Sequence, residues 1–281
     1  MDQNAFHATV NGSDKPTAKS RVKPSDQGGA TVLSDELAVG ASIATYPREQ
    51  SPYHGGSTRW WPPSGDHVVL FKANPLRFEY FDRFMGSWED VKVLDVGCGG
   101  GYACEFLARR GAVVFGTDIM AEAIQQARDH AAQENLEIEY HPCTPERLPF
   151  NDQTMDAVTC VDVLEHIPNK AQTLCEIYRV LKPGGWFFFD TFNKTFWSKV
   201  FIIWLGEILI RFIPRRTHYW PYFIRPDDLK LLLEKSGFAG VEFGGIKSAR
   251  KARGKSGFPV TVSSKGSTAI IYFAAAQKPI C

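Results

Sequence analysis

The run Thr159-Cys160-Val161-Asp162-Val163-Leu164-Glu165-His166-Ile167 places two carboxylates and an imidazole directly after an apolar stretch. If that stretch is a strand, all three polar groups emerge at its carboxyl end. A helical turn there brings Asp162 close to Glu165 at i, i+3 and to His166 at i, i+4. Oxygen and imidazole donors suit a divalent cation such as Mg²⁺, and a bound cation lowers the pKa of a phenol from about 10 toward neutrality. The same group also reads as a general base, His166, acting on a substrate hydroxyl, because imidazole titrates near neutral pH. The plainest reading is a helix-capping acid beside a surface histidine, and spacing alone leaves all three open.

Upstream, residues 93–101 read Val-Leu-Asp-Val-Gly-Cys-Gly-Gly-Gly. An apolar strand that breaks into glycines lets a nucleotide-sized ligand approach the backbone, and Gly97, Gly99 and Gly101 are the positions that would face it. Asp118, with Ile119 beside it, closes the next apolar segment and offers a carboxylate to ribose hydroxyls. Dinucleotide enzymes use the same devices. Asp95 inside the first strand and the missing G-x-G-x-x-G register argue against a pyrophosphate, which needs helix N–H groups at that spacing. The loop resembles motif I of the seven-stranded S-adenosylmethionine-dependent methyltransferases. Many of those enzymes place an acid on the adenine amine after the third strand. Here Cys143-Thr144 stands in that place, so Thr144 or the main chain is expected to make the contact.

Such groups need a scaffold that gathers strand ends along one edge. Residues 92–96, 113–117, 138–141, 155–161 and 186–190 read as strands, with helices over 102–110, 121–135 and 170–181, the last stopped by Pro183-Gly184-Gly185. A helix over 227–236 and strands over 241–245 and 269–274 follow. Ahead of the first strand, Asn74 and Pro75 read as the cap and first turn of a helix carrying Phe78, Tyr80, Phe81, Phe84 and Met85. This alternation predicts an α/β fold, a seven-stranded, Rossmann-like doubly wound sheet with ligands at the carboxyl ends of its strands.

Length and composition bound the rest. A chain of 281 residues holds one such domain with extensions, and 44% hydrophobic against 22% charged residues is ordinary for a soluble globular protein. A net charge of +1 gives no case for nucleic-acid binding. Cys98, Cys104, Cys143, Cys160, Cys175 and Cys281 form no C-x-x-C pair, which fits reduced thiols and a cytoplasmic location. Residues 1–50 are too polar to offset their ordering entropy and are expected to be a disordered extension, leaving 51–281 as the domain.

Between residues 196 and 212, Phe196, Trp197, Val200, Phe201, Trp204, Leu205, Ile208, Leu209 and Phe212 recur at helical spacing, interrupted by Glu207 and Arg211. This insert, near 194–216, is too short and too charged to span a bilayer. Its aromatic face, flanked by Lys194, Lys199, Arg215 and Arg216, suits a helix lying at the surface of an anionic membrane. A lid or a subunit contact fits the same pattern. The basic run Lys247, Arg250, Lys251, Arg253 and Lys255 would add attraction to anionic lipid or remain a solvated loop.

Taken together, Asn74-Pro75-Leu76-Arg77, residues 93–101, VTCVDVLEHIP at 158–168, LKPGG at 181–185 and RFIPRRTH at 211–218 resemble the ubiquinone-biosynthesis O-methyltransferases over residues 60–275. The resemblance implies a small phenolic or quinone-precursor substrate and S-adenosylmethionine as cofactor. Arg77, Gly97 and Asp118 would hold that cofactor, with Val161 or Val163 beside the adenine. It also implies a metal site at Asp162, Glu165 and His166, with Asp162 standing where the family carries Glu. A membrane-dissolved polyprenyl substrate would suit an enzyme docked on the inner face of a membrane. A methyltransferase of another small molecule, and a non-catalytic lipid-binding relative of the same fold, are the competing expectations.

Overall fold

The computed structural model describes residues 59–63, 67–210, 213, 215–248 and 260–280. The expectations for residues 1–50 and for the basic run 250–255 lie outside this set. Eight strands form one sheet in the order β3-β2-β1-β4-β5-β8-β6-β7. They are β1 Lys92–Val96, β2 Val113–Asp118, β3 Ile138–Pro142, β4 Met155–Cys160, β5 Leu181–Phe192, β6 Ala239–Ser248, β7 Val260–Ser263 and β8 Ser267–Gln277. The first five run parallel, and β8 inserts antiparallel between β5 and β6. The doubly wound sheet is as expected, with β7 as an eighth, edge strand paired to β6.

Both faces of the sheet are buried, as a parallel sheet requires. Leu94, Val96, Val158, Phe187 and Phe189 pack one face. Val93, Val114, Ala157 and Phe188 alternate onto the other, beneath α1 His67–Met85 and α2 Tyr102–Ala108. Helix α3 is Ala121–Gln133, and α4 is Lys170–Val180, capped by the Asn169 side chain, which accepts from the Gln172 N–H. This alternation turns the carboxyl ends of β1, β2, β4 and β5 toward one rim.

Two elements differ from expectation. Helix α1 begins at His67, one and a half to two turns ahead of Asn74, and runs through Pro75. A proline inside a helix removes one N–H bond and pushes a preceding carbonyl aside. For Pro75 that carbonyl belongs to Phe71; one residue earlier the Leu70 carbonyl accepts from Arg77 Nη1 (3.1 Å), and Asn74 Oδ1 accepts from the same nitrogen (3.3 Å) instead of capping main chain. The second difference is the insert, a short α5 Phe196–Ser198 that widens into a π-type helix over Lys199–Ile210. Thr195 and Ser198 form a reciprocal capping box at its start.

Candidate active site

At the carboxyl rim of the sheet lies a cavity of about 500 Å³. One end is built by the turn after β1. Gly97 and Gly99 hold φ of +77° and +52°, and a Cβ on Gly97 would stand 2.5 Å from the Val163 side chain. Gly99 lies against the Trp60 indole in the same way. Glycine is required at both positions by conformation and by space. The Asp118 carboxylate ties this turn to β2, accepting from the Gly99 N–H (2.9 Å) and the Met120 N–H (2.8 Å). Trp60 stacks on His67, and the Trp61 indole donates to the Gly100 carbonyl (2.7 Å), so residues 60 and 61 roof the glycine turn.

Asp95 is buried beneath that turn, accepting from Thr159 Oγ1 (2.6 Å) and Cys104 Sγ (3.5 Å). Burial pushes its carboxyl up to about 6, against the lowering influence of the Thr159 hydrogen bond. Asp95 thereby knots β1 to β4 and α2 while its edge faces the cavity.

Arg77 is the hub of the middle of the site. It is 4% exposed and pairs through Nε with Asp190 and through Nη2 with Asp162. Asp190 also accepts from the Asp162 N–H (2.7 Å), which holds Asp162 at a φ of +55°, uncommon for a residue with a side chain. Burial raises the Asp190 carboxyl, opposed by the Arg77 charge.

Beyond Arg77 the wall changes. Glu165 is fully buried; its Oε2 accepts from Thr191 Oγ1 (2.8 Å), and its Oε1 has no hydrogen-bond partner among the described residues. Burial raises this carboxyl above the usual range. The His166 ring stacks on His218, with centroids 5.2 Å apart. One donor atom each from Glu165, His166 and His218 lie within 4.8 Å of one another. The expected trio of Asp162, Glu165 and His166 is therefore re-formed: Asp162 is drawn away by Arg77, and His218 takes its place. The apolar part of the cavity is walled by Phe192, Ile202, Ile213, Tyr222, Ile246 and Ile271.

Of the expected cofactor residues, Arg77, Asp95, Gly97, Gly99, Asp118, Ile119, Val161 and Val163 line the cavity. Gly101 and Thr144 do not. Gly101 is the N-cap of α2, and the wall after β3 is made by Cys143 and Pro145 on either side of Thr144. Asp190, His218, Trp60 and Glu207 were not among the expected site residues. The available signals were an acid ending a run of phenylalanines, a histidine closing RFIPRRTH, and a lone acid in an apolar helix.

The cavity carries five carboxylates, from Asp95, Asp118, Asp162, Glu165 and Asp190, against the single guanidinium of Arg77. At the glycine end, Asp95 and Asp118 suit a cationic ligand better than a pyrophosphate, and a sulfonium bearing an ammonium group is such a ligand. With this sheet order and glycine turn, fold and site define a class I S-adenosylmethionine-dependent methyltransferase. A family profile described as "Methyltransferase domain" matches residues 94–189. An S-adenosylmethionine-dependent methyltransferase from Methanosarcina mazei shares the fold at a TM-score of 0.54 and 22% identity, over 72% of this chain and 98% of that one. The ubiquinone biosynthesis O-methyltransferase of Alkalilimnicola ehrlichii is 41% identical over 182 residues, 64% of this chain and 74% of that protein. The Bordetella avium protein of the same name is 35% identical over 79% of this chain and 90% of its own length. The chain belongs to the ubiquinone biosynthesis O-methyltransferase family.

Proposed function

We propose that this protein methylates a phenolic hydroxyl of a polyprenylated quinone precursor, a demethylubiquinol-like molecule, in ubiquinone biosynthesis. The observation that carries this reading is the layout of one cavity. An acidic, glycine-floored end suits the sulfonium cofactor, a polar trio of Glu165, His166 and His218 stands in its wall, and an apolar side suits a prenyl chain. In the reaction a phenolate oxygen attacks the methyl carbon as the carbon–sulfur bond breaks. The electron pair leaves on sulfur as S-adenosylhomocysteine, and the phenolic proton passes to an imidazole of the trio. Alignment of the two reactants supplies much of the rate.

The trio also fits a divalent cation. Glu165 Oε1 is a buried acceptor with no partner among the described residues, and two imidazoles complete a donor set of one oxygen and two nitrogens. That set suits zinc, manganese or iron better than Mg²⁺, which prefers an all-oxygen shell. A cation held there would acidify a phenol.

The test is incubation with methyl-labelled S-adenosylmethionine and a prenylated catechol, with the product identified by mass spectrometry. Label on the phenolic oxygen is expected. Label on carbon, or equal kcat/KM for a tail-less phenol, would overturn the substrate assignment. Chelator is expected to depress turnover and Mn²⁺ or Zn²⁺ to restore it; unchanged turnover would remove the cation.

Membrane contact is the companion proposal. Among the described residues no helix is long and apolar enough to cross a membrane. The insert nevertheless exposes Phe196, Trp197, Phe201, Trp204, Ile208 and Leu209, the last at 74%. Lys194 and Lys199 sit over the neighbouring Trp220 ring, and Arg215 and Arg216 are exposed beyond. Aromatic rings ringed by cations suit an anionic bilayer surface. In flotation with anionic vesicles, Trp197→Asp/Trp204→Asp is expected to cut binding by about two orders of magnitude, since each indole removed from lipid loses at least ~1.5 kcal/mol. Equal flotation of both proteins would refute the contact.

A further inference from the structure

The insert contributes more than an outer surface. In the apolar run Lys199–Ile210 the one acid, Glu207, is turned inward and is 3% exposed. Its Oε2 accepts from the Arg216 N–H (2.9 Å), and its Oε1 accepts from both the His218 N–H (2.9 Å) and His218 Nδ1 (2.9 Å). An ionised carboxylate only accepts, so the partner ring nitrogen must carry the proton. Phe192 and Phe223 pack against the same imidazole, at centroid distances of 5.0 and 6.0 Å, and limit its rotation.

We propose that Glu207 is a positioning residue that holds His218 as its Nδ1–H tautomer, leaving Nε2 unprotonated and turned on the cavity it shares with Glu165 and His166. Neutral imidazole in water favours the opposite tautomer, with the proton on Nε2, so the arrangement has to be imposed. Without Glu207 the nitrogen facing the site would be a donor, unable to take a phenolic proton or to ligate a cation. The carboxylate–histidine pair is the usual device for fixing a ring in this way, and its loss costs about 10–100-fold in affinity or activity. The buried position of Glu207 follows. An acid placed inside an apolar helix is expensive to bury unless it is fully hydrogen-bonded, and here three N–H groups meet it. The same helix faces solvent through Phe201, Trp204 and Ile208, so the group that sets the tautomer lies on the inner side of the proposed lipid-docking surface.

Only the catalytic consequence rests on the proposed phenol chemistry; the tautomer does not. Long-range ¹H–¹⁵N spectra of the histidine-labelled, metal-free full chain above neutral pH read the tautomer directly, with the His218 signals assigned by their loss in His218→Asn. The wild type is expected to show Nδ1–H at His218. Glu207→Gln, which keeps the shape of the side chain, is expected to move His218 toward Nε2–H and to lower kcat about 10–100-fold. Its KM for S-adenosylmethionine and its S-adenosylhomocysteine affinity should stay within about twofold, since Glu207 stands outside the cofactor end of the cavity. An Nε2–H tautomer in the wild type overturns the assignment whether or not any variant folds. So does a wild-type tautomer and kcat retained in a folded Glu207→Gln protein. A wild-type Nδ1–H signal in a protein that methylates no phenol would sustain the dyad and sink the substrate reading instead.

Discussion

Arg77→Met is expected to destabilise the protein by about 3–5 kcal/mol, the usual cost of removing one partner from a buried ion pair. Two carboxylates, Asp162 and Asp190, depend on this one guanidinium, and Asp190 is fully buried. Methionine fills much of the same volume, so the loss reports charge more than packing. The pH dependence gives the sign. The Asp190 carboxyl is raised by burial, with Arg77 opposing, so its folded pKa exceeds its unfolded value. A carboxyl of that kind favours the fold when protonated, below the unfolded value of about 4, and that contribution is lost as pH rises through the folded pKa. Taking away Arg77 raises the folded pKa further. The gap between the urea midpoints of wild type and variant is therefore expected to be wider near pH 8 than near pH 5. An equal gap at both would show that Asp190 is not the group left uncompensated. Arg77 also frees no nitrogen by chance: its Nη1 occupies the Leu70 carbonyl in the proline-bearing stretch of α1, so the variant should loosen that helix as well.

Asp118→Ala is expected to leave the sheet folded and to weaken S-adenosylhomocysteine binding by about 10²–10⁴-fold, read by calorimetry. Hydrogen bonds to a charged group contribute about 1.5–3 kcal/mol each, and a ribose offers two hydroxyls. The carboxylate has a second task, since it takes the Gly99 and Met120 N–H groups and so sets the turn that floors the cavity. Asp118→Asn separates the two roles. It retains one acceptor oxygen for the turn and loses the charge offered to ribose, so its affinity should fall between wild type and alanine. Wild-type affinity in Asp118→Ala would place the ribose elsewhere and unseat the cofactor assignment for this end of the cavity.

What could be read from the chain alone were features whose cause is local. The glycine turn after β1, the acid ending β2 and the strand–helix alternation are short-range patterns, because a tight turn, a buried strand and an amphipathic helix each declare themselves within a dozen residues. The exposed aromatic face of the insert was legible for the same reason. The composition of the polar trio was not. Spacing favoured Asp162 with Glu165 and His166, whereas His218 arrives from a loop more than fifty residues away and Asp162 is claimed by Arg77. That choice belongs to the tertiary structure. Asp190, at the end of a neighbouring strand, brings the guanidinium into a buried position where it pairs both aspartates. The start of α1 was misplaced because Pro75 resembles a first-turn residue, whereas the helix already begins at His67, where Trp60 stacks on the His67 ring. Sequence determined the sheet, the turn and the carboxylates available, since these follow from which residues can occupy strand, loop and helix. Only the fold decided which carboxylates meet Arg77 and which is left for chemistry, because pairing among buried charges depends on distances set by strands and loops remote in the chain.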